Sequence, residues 1–228
     1  MKHRKKTLLI LIALFLSSAA IILSGCAADL FGDPDIERLE SVEVKDYQGE
    51  KLGSIGDFRE NSIQGVQYID IDDYTLDITG LVEEPKPLTY DEVLALDKYS
   101  KAVRIYCVEG WDVNILWEGV LVKDIIDLAG ARPEVNTVIF HAYDGYTTSH
   151  PLYYLIDNDI LIAYRMNNVT IPPERGFPFQ LVAEDKWGYK WIKWITEIEL
   201  SNDTSYTGTW ESAGYNNQGD LDGPIFER

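Results

Sequence analysis

An apolar run that ends at a cysteine limits what the rest of the chain can fold into. Residues 1–6 carry Lys2, Arg4, Lys5 and Lys6 and no acid. From Thr7 to Leu23 the chain is apolar apart from Ser17 and Ser18, and it closes on Leu23-Ser24-Gly25-Cys26. A basic start, a short apolar stretch and small residues before a cut describe a secretory signal. The chain beyond the cut must therefore fold in an oxidising compartment. The sequence holds only two cysteines, Cys26 and Cys107. The folded part has no disulfide partner for Cys107, so packing and hydrogen bonds must hold it together. About 200 residues after the signal suit a single domain, at roughly 100–200 residues each.

The Leu-Ser-Gly-Cys ending is similar to a lipobox, in which the cysteine takes a lipid and becomes the new N-terminus. The expected organisation is a signal over residues 1–25, a lipidated tether over 26–56 and a domain over 57–228. The expected location is the extracytoplasmic face of the cell membrane, with the lipid on Cys26 as anchor. Loss of residues 1–25, with four bases and no acid, takes the net charge from −18 to −22. Such a surface repels phosphate backbones, so nucleic acid is excluded as a partner.

Residue patterning predicts more strands than helices. A short strand is expected within residues 41–45. Tyr74, Leu76 and Ile78 alternate with Thr75, Asp77 and Thr79, which is strand periodicity, and Gly80 ends it. Thr89 with Glu92 forms a capping-box pattern ahead of Val93, Leu94 and Leu96. Residues 103–108 read as a buried strand, 122–129 as a helix stopped by Gly130, and 137–142 as a strand before a turn at Asp144-Gly145. Residues 152–156 read as a short helix, and 179–183 and 195–200 as strands. The tail from Asn202 is polar, with Trp210 and Tyr215 as docking points. No regular βαβ alternation occurs, which argues for an α+β single domain with a mixed sheet and short helices.

Few residues can carry chemistry. The histidines are His3, His141 and His150. His150 precedes Pro151 and reads as a loop residue, solvated or internally satisfied. No HExxH, paired CxxC, GxSxG or Walker pattern is present, which disfavours zinc hydrolysis, a serine nucleophile and a P-loop. Two segments stand out. One is Arg104-Ile105-Tyr106-Cys107-Val108-Glu109-Gly110-Trp111. A thiolate at a strand end beside Arg104 would be available to a soft metal, with Glu109 placed to relay protons. By its residues alone Cys107 stays open as a core thiol, a metal ligand or a nucleophile. The other segment runs from Lys186 to Trp194, where three lysines surround Gly188 in an otherwise acidic chain. Ammonium groups and backbone N–H groups around a glycine suit a phosphate, and a tight turn offsetting Glu184, Asp185 and Glu197 is the plainer alternative.

Taken together, several segments resemble the molybdopterin-binding oxidoreductase domain of the sulfite oxidase family, in particular its bacterial envelope members, among them a protein-methionine-sulfoxide reductase. They are Asn61-Ser62-Ile63, Leu76 to Val82, Cys107 to Trp111, Asp144-Gly145-Tyr146, Pro172-Pro173 with Gly176-Phe177-Pro178, Trp187 to Lys190 with Lys193-Trp194, and Thr209-Trp210-Glu211 with Gly214-Tyr215. The resemblance implies a molybdopterin cofactor, one per chain, with Cys107 as the metal ligand. It implies that Glu109 stands beside the metal. Cofactor contacts would come from Asn61, Arg104, Arg175, Gln180, Tyr189, Lys190, Trp191, Ile192 and Lys193. The reaction it implies is oxygen-atom transfer on a small oxo-substrate such as a sulfoxide, with a separate electron-transfer partner. Gln180 stands where the family often has Arg, with Arg175 nearby as a replacement. The signal also lacks the twin arginine that relatives use to leave the cytoplasm folded. These departures motivate the alternative of a metal-free ligand- or partner-binding lipoprotein on the same fold, and a third of a surface-layer interaction lipoprotein in which Cys107 is only core.

Overall fold

A computed structural model describes residues 34–227. The signal, the lipobox and Cys26 lie outside the described residues. Two compact units divide the chain at Ser41/Val42. In the first, helix α1 (Pro34–Glu40) carries Asp35 and Glu37 in its first turn and Arg38 in its last, which suits the helix dipole.

The second unit begins at Val42, so residues 42–56, expected from the sequence as tether, belong to the domain. Glu43 shows why. It is buried and accepts hydrogen bonds from Ile55 N at 3.1 Å and Asn167 Nδ2 at 2.7 Å, beside an ion pair with Lys45. Burial alone would raise its carboxyl; the bonds from Asn167, Lys45, Ser54 and Ile55 outweigh that and hold it below the usual carboxylate range. The strand expected at 41–45 falls slightly later, as a hairpin of β1 (Asp46–Tyr47) and β2 (Glu50–Lys51).

The remaining elements follow in order: β3 (Thr75–Gly80), β4 (Lys86–Thr89), α2 (Tyr90–Leu94), β5 (Tyr99–Tyr106), β6 (Asp112–Leu121), α3 (Val122–Ala129), β7 (Thr137–Ala142), β8 (Thr147–Pro151), α4 (Leu152–Asp157), β9 (Leu161–Met166), β10 (Val169–Thr170), β11 (Gln180–Val182) and β12 (Ile195–Ser201). They form two larger sheets. The first runs β10-β9-β6-β5, with β11 also paired to β9. The second runs β4-β3-β12-β7-β8, in which β12 is parallel to β3 and antiparallel to β7. The fold is α+β with a mixed sheet and short helices, as the patterning predicted.

Local chemistry explains the element ends. The capping box at α2 is present: Thr89 Oγ1 accepts from Glu92 N at 3.3 Å, and Glu92 Oε2 accepts from Thr89 N at 2.8 Å. Such caps are worth about 1 kcal/mol. Helix α3 ends at Gly130 with φ +68°, a left-handed position that glycine takes at no steric cost. Patterning missed β4, β6, β8, β9 and β10. The β9–β10 hairpin turns through Asn167 and Asn168, at φ +45° and +65°, the primed turn that asparagine tolerates. In β6, Val113, Ile115 and Trp117 are buried in alternation. Fully burying one such side chain stabilises the fold by roughly 1.5–3 kcal/mol. Trp117 packs on Trp191 at 5.7 Å and donates to Val103 O at 3.1 Å, which ties the first sheet to the segment holding Gly188.

Candidate active site

Strand β5 stops at Tyr106, two residues short of the expected end at Val108, and Cys107 opens the turn into β6. Two backbone bonds close that turn: Cys107 N to Trp111 O at 2.9 Å and Gly110 N to Cys107 O at 3.0 Å. Gly110 sits at φ +88°, which a side-chain-bearing residue rarely adopts. The turn places Cys107, half-buried, at a cavity of about 200 Å³. The segment after Lys186 forms the facing wall. Trp187 bridges Tyr106, and a Cβ on Gly188 would stand 3.1 Å from Tyr106 O and 3.6 Å from Cys107 Cα. Glycine is what lets the two loops approach so closely.

The cavity gathers Asn61, Cys107, Glu109, Arg175, Gln180, Tyr189, Trp191, Ile192 and Lys193 from the sequence-derived set. Asn61 Nδ2 and Trp111 Nε1 each stand 3.4 Å from a Glu109 carboxylate oxygen and so orient it. Burial pushes the Cys107 thiol above its ordinary range; the N–H groups of Glu109 and Val108 and the charge of Arg59 work against that. The expectation of a thiolate favoured by Arg104 is therefore corrected. Arg104 lies on the opposite face of β5 from buried Val103 and Ile105, forms an ion pair with Asp112 and does not reach the cavity. Arg59, missed in the sequence, is the arginine that acts on the thiol.

Lys190 is the second correction. Its side chain has no solvent exposure, and its Nζ stands 2.6 Å from Glu211 Oε1 and 3.0 Å from Asn217 O. It pins the C-terminal tail and lies outside the cavity lining. Lys193 does reach the cavity, with Nζ paired to Glu60 at 3.0 Å and set over the Trp194 ring at 4.1 Å. Burial lowers its ammonium pKa, and Glu60 acts the other way. Arg175 donates from Nε to Ile55 O at 3.0 Å and from Nη2 to Phe58 O at 3.2 Å, so it braces the entry segment. Tyr189 donates to Asn216 O at 2.7 Å, and burial raises its phenol far above the ordinary value.

His150 belongs to β8 and not to a loop. It is 1% exposed, and its Nε2 donates to Lys190 O at 3.1 Å. Burial holds its pKa well below the ordinary value, so it is neutral. Sequence reading also missed much of the aromatic wall. Phe58, Trp111, Tyr146, Trp194, Trp210 and Tyr215 line the cavity. Trp194 does so at φ +54°, a strained conformation held by its indole bond to Pro173 O at 2.8 Å. The motif Gly-Tyr and the tail aromatics were the available signals.

The wall suits an occupant. Gln180 is 3% exposed and lines the cavity. Glu174 Oε2, on another lining residue, is buried without a partner. A buried polar atom without a partner costs about 1–3 kcal/mol, a cost that a polar ligand relieves. One thiol among flat aromatic walls fits a planar heterocycle whose metal takes a soft sulfur donor.

Residues 63–210 match the family described as the oxidoreductase molybdopterin binding domain. This chain belongs to that family. Its molybdopterin-binding domain is of the sulfite oxidase type. The chain is 35% identical over 154 residues to the uncharacterized oxidoreductase YuiH of Bacillus subtilis (strain 168), spanning 67% of this chain and 77% of that protein. It is 33% identical over 152 residues to the putative protein-methionine-sulfoxide reductase subunit YedZ1 of Azospira oryzae, spanning 66% of this chain and 57% of the relative. To the mitochondrial sulfite oxidase of Drosophila melanogaster it is 30% identical over 178 residues, covering 66% of this chain and 31% of the longer enzyme. The match thus covers less than two thirds of the latter two relatives. The sulfane dehydrogenase SoxCD of Paracoccus pantotrophus superposes with a TM-score of 0.59 at 23% identity, over 61% of this chain and 41% of that one, a likeness of fold.

Proposed function

We propose that this molybdopterin-domain protein is a molybdenum-dependent oxidoreductase that transfers an oxygen atom on a small, neutral oxo-substrate such as a sulfoxide. The observation that carries the reading is the Cys107 sulfur at an aromatic-walled cavity with Glu109 oriented beside it. The lipid on Cys26, the extracytoplasmic location and a separate electron partner complete the proposal. They rest on the sequence of residues 1–26.

Cys107 would ligate the metal, and Asn61, Gln180, Tyr189, Trp191, Ile192 and Lys193 would hold the pterin and its phosphate. When bound, the group supplies two-electron oxygen-atom transfer. The protein's part is set by its own residues. Burial favours the protonated free thiol; Cys107 would hold the metal as a thiolate, because a coordinating thiol is deprotonated outright. The N–H groups of Val108 and Glu109 favour the charged sulfur and would support it in that role. Reducing a sulfoxide to a sulfide and water consumes two electrons and two protons. Glu109, exposed at the mouth and tethered by Asn61 and Trp111, is positioned to pass protons inward at its carboxylate oxygens. Trp111, Tyr146, Trp210 and Tyr215 exclude water and offer ring edges to a sulfur-bearing side chain, contacts worth about 0.3–1.5 kcal/mol each. Lys193 and Arg175 are already engaged by Glu60 and by backbone carbonyls, which favours a neutral substrate over a dianion.

The test is elemental mass spectrometry for molybdenum on protein purified from its native membrane, with a sulfoxide-reduction assay and Cys107→Ser beside it. Near-stoichiometric metal and activity, both lost in the variant, are expected. Activity or metal retained in Cys107→Ser, or no metal in the wild type, refutes the assignment.

A further inference from the structure

We propose that the outer face of the second sheet holds a divalent-metal site, formed by His141, Glu197 and Glu199, that takes a zinc-class cation. In the β7–β12 ladder His141 stands opposite Glu197, and Glu199 follows two residues along the same strand. Residues opposite one another, and those two apart on a strand, share one face. One ligand atom from each of the three lies within 4.8 Å of the others.

Charge on this face points to a cation independently of that spacing. Strand β3 runs alongside in parallel and pairs Asp77 with Glu197 and Thr79 with Glu199. Three carboxylates therefore project from one patch. Among the described residues none of them has a Lys or Arg ion pair; the one charged contact is His141 Nε2 to Glu199 Oε2 at 3.0 Å. Like charges at adjacent ladder positions destabilise a sheet, and a bound cation reverses that sign.

The donor set selects the ion. One imidazole nitrogen with two carboxylate oxygens is a zinc-type set with room for water, whereas calcium and magnesium prefer oxygen ligands in larger number. The His141 and Glu199 side chains are 29% and 37% exposed, so an ion can enter from solvent. Thr79 Oγ1 donates to Glu197 Oε1 at 2.5 Å and fixes that carboxylate, as outer partners do for metal ligands. None of these residues lines the Cys107 cavity. The site is a second one, and its ion would tie β7 to β12.

Zinc chloride alone, titrated into the full chain by calorimetry and followed by thermal melting, tests this. Wild type and Cys107→Ser should each bind one zinc per chain and melt higher with it. His141→Ala and Glu197→Gln should bind roughly tenfold or more weakly and lose the melting shift. Glu197→Gln keeps the side-chain shape, and its zinc-free melt shows whether it folds. Zinc binding unchanged in both variants, no binding by the wild type, or binding that disappears with Cys107→Ser would each overturn the assignment.

Discussion

Lys190 Nζ lies 2.6 Å from Glu211 Oε1, and neither side chain has any solvent exposure. The pair joins the turn at Gly188–Lys190 to the tail at Glu211–Ala213. It thereby holds Tyr189, Trp210 and Tyr215 in the cavity wall. Thr148 Oγ1 also donates to Glu211 Oε1, at 2.7 Å.

Removing one partner leaves the other charge buried and unpaired. Lys190→Met is expected to destabilise the domain by about 3–5 kcal/mol. Lys190→Met with Glu211→Leu should recover most of that loss, because the pair's desolvation cost leaves with it. Urea unfolding of the two variants checks both statements.

His150 sets an acid limit on stability. Its folded pKa lies well below the ordinary value, chiefly through burial, with Lys190 acting in the same direction. The unfolded chain therefore binds the proton first. Stability contributed by the neutral ring is full above about pH 6.5 and is lost as pH falls below it, by about 1.4 kcal/mol per unit until the folded pKa is reached. Comparing the wild type with His150→Gln between neutral and mildly acid pH, the difference in urea midpoint should shrink as pH drops. A constant difference would contradict it.

Cys107 in cofactor-free protein should resist alkylation at neutral pH, since burial pushes its thiol up. The iodoacetamide rate should climb only in the alkaline range. Arg59→Gln should move that rise to higher pH, because Arg59 is the cation that favours the thiolate. A profile identical to that of a free thiol would be the wrong outcome.

Gly188→Val should separate the two loops that meet at Cys107. Its Cβ would stand 3.1 Å from Tyr106 O, and the added methyls need further space. A loss of about 1–3 kcal/mol in stability is expected, with molybdenum content falling further than the fold does. Melting temperature and metal content on the same preparation separate the effects.

Glu109→Gln keeps the shape and one of the two orienting contacts, through its single oxygen, but cannot carry a proton. Sulfoxide reduction should fall by about 10²–10⁴ while metal content holds. Equal loss of metal and activity would make Glu109 a structural residue.

Much of this molecule was readable from local chemistry. The capping box at Thr89, the helix stop at Gly130 and the alternation in β3 follow from backbone geometry within a few residues, and each is found where expected. The motif around Cys107 and the glycine at 188 also announced the cavity, because a lone thiol two residues from a carboxylate and a glycine among aromatics each need a reason. The strands β4, β6, β8, β9 and β10 were not readable in the same way. Strand β9 lies against β6 and β11, which are distant in sequence, while β6, β8 and β10 also sit in hairpins whose residues alone fit more than one state.

The sequence alone settled which residue types are available: one unpaired thiol, a carboxylate two residues later, and few cations in an acidic chain. Only the tertiary structure decided which of them share a space. Arg104 and Lys190 sit next to the motifs in sequence, yet the pleat of β5 turns Arg104 toward Asp112 and a buried carboxylate captures Lys190. Arg59, Trp194 and Trp210 come to the cavity from distant segments. Side-chain direction alternates with each residue of a strand, and burial is decided by what packs above it. Neither is a property of the local sequence.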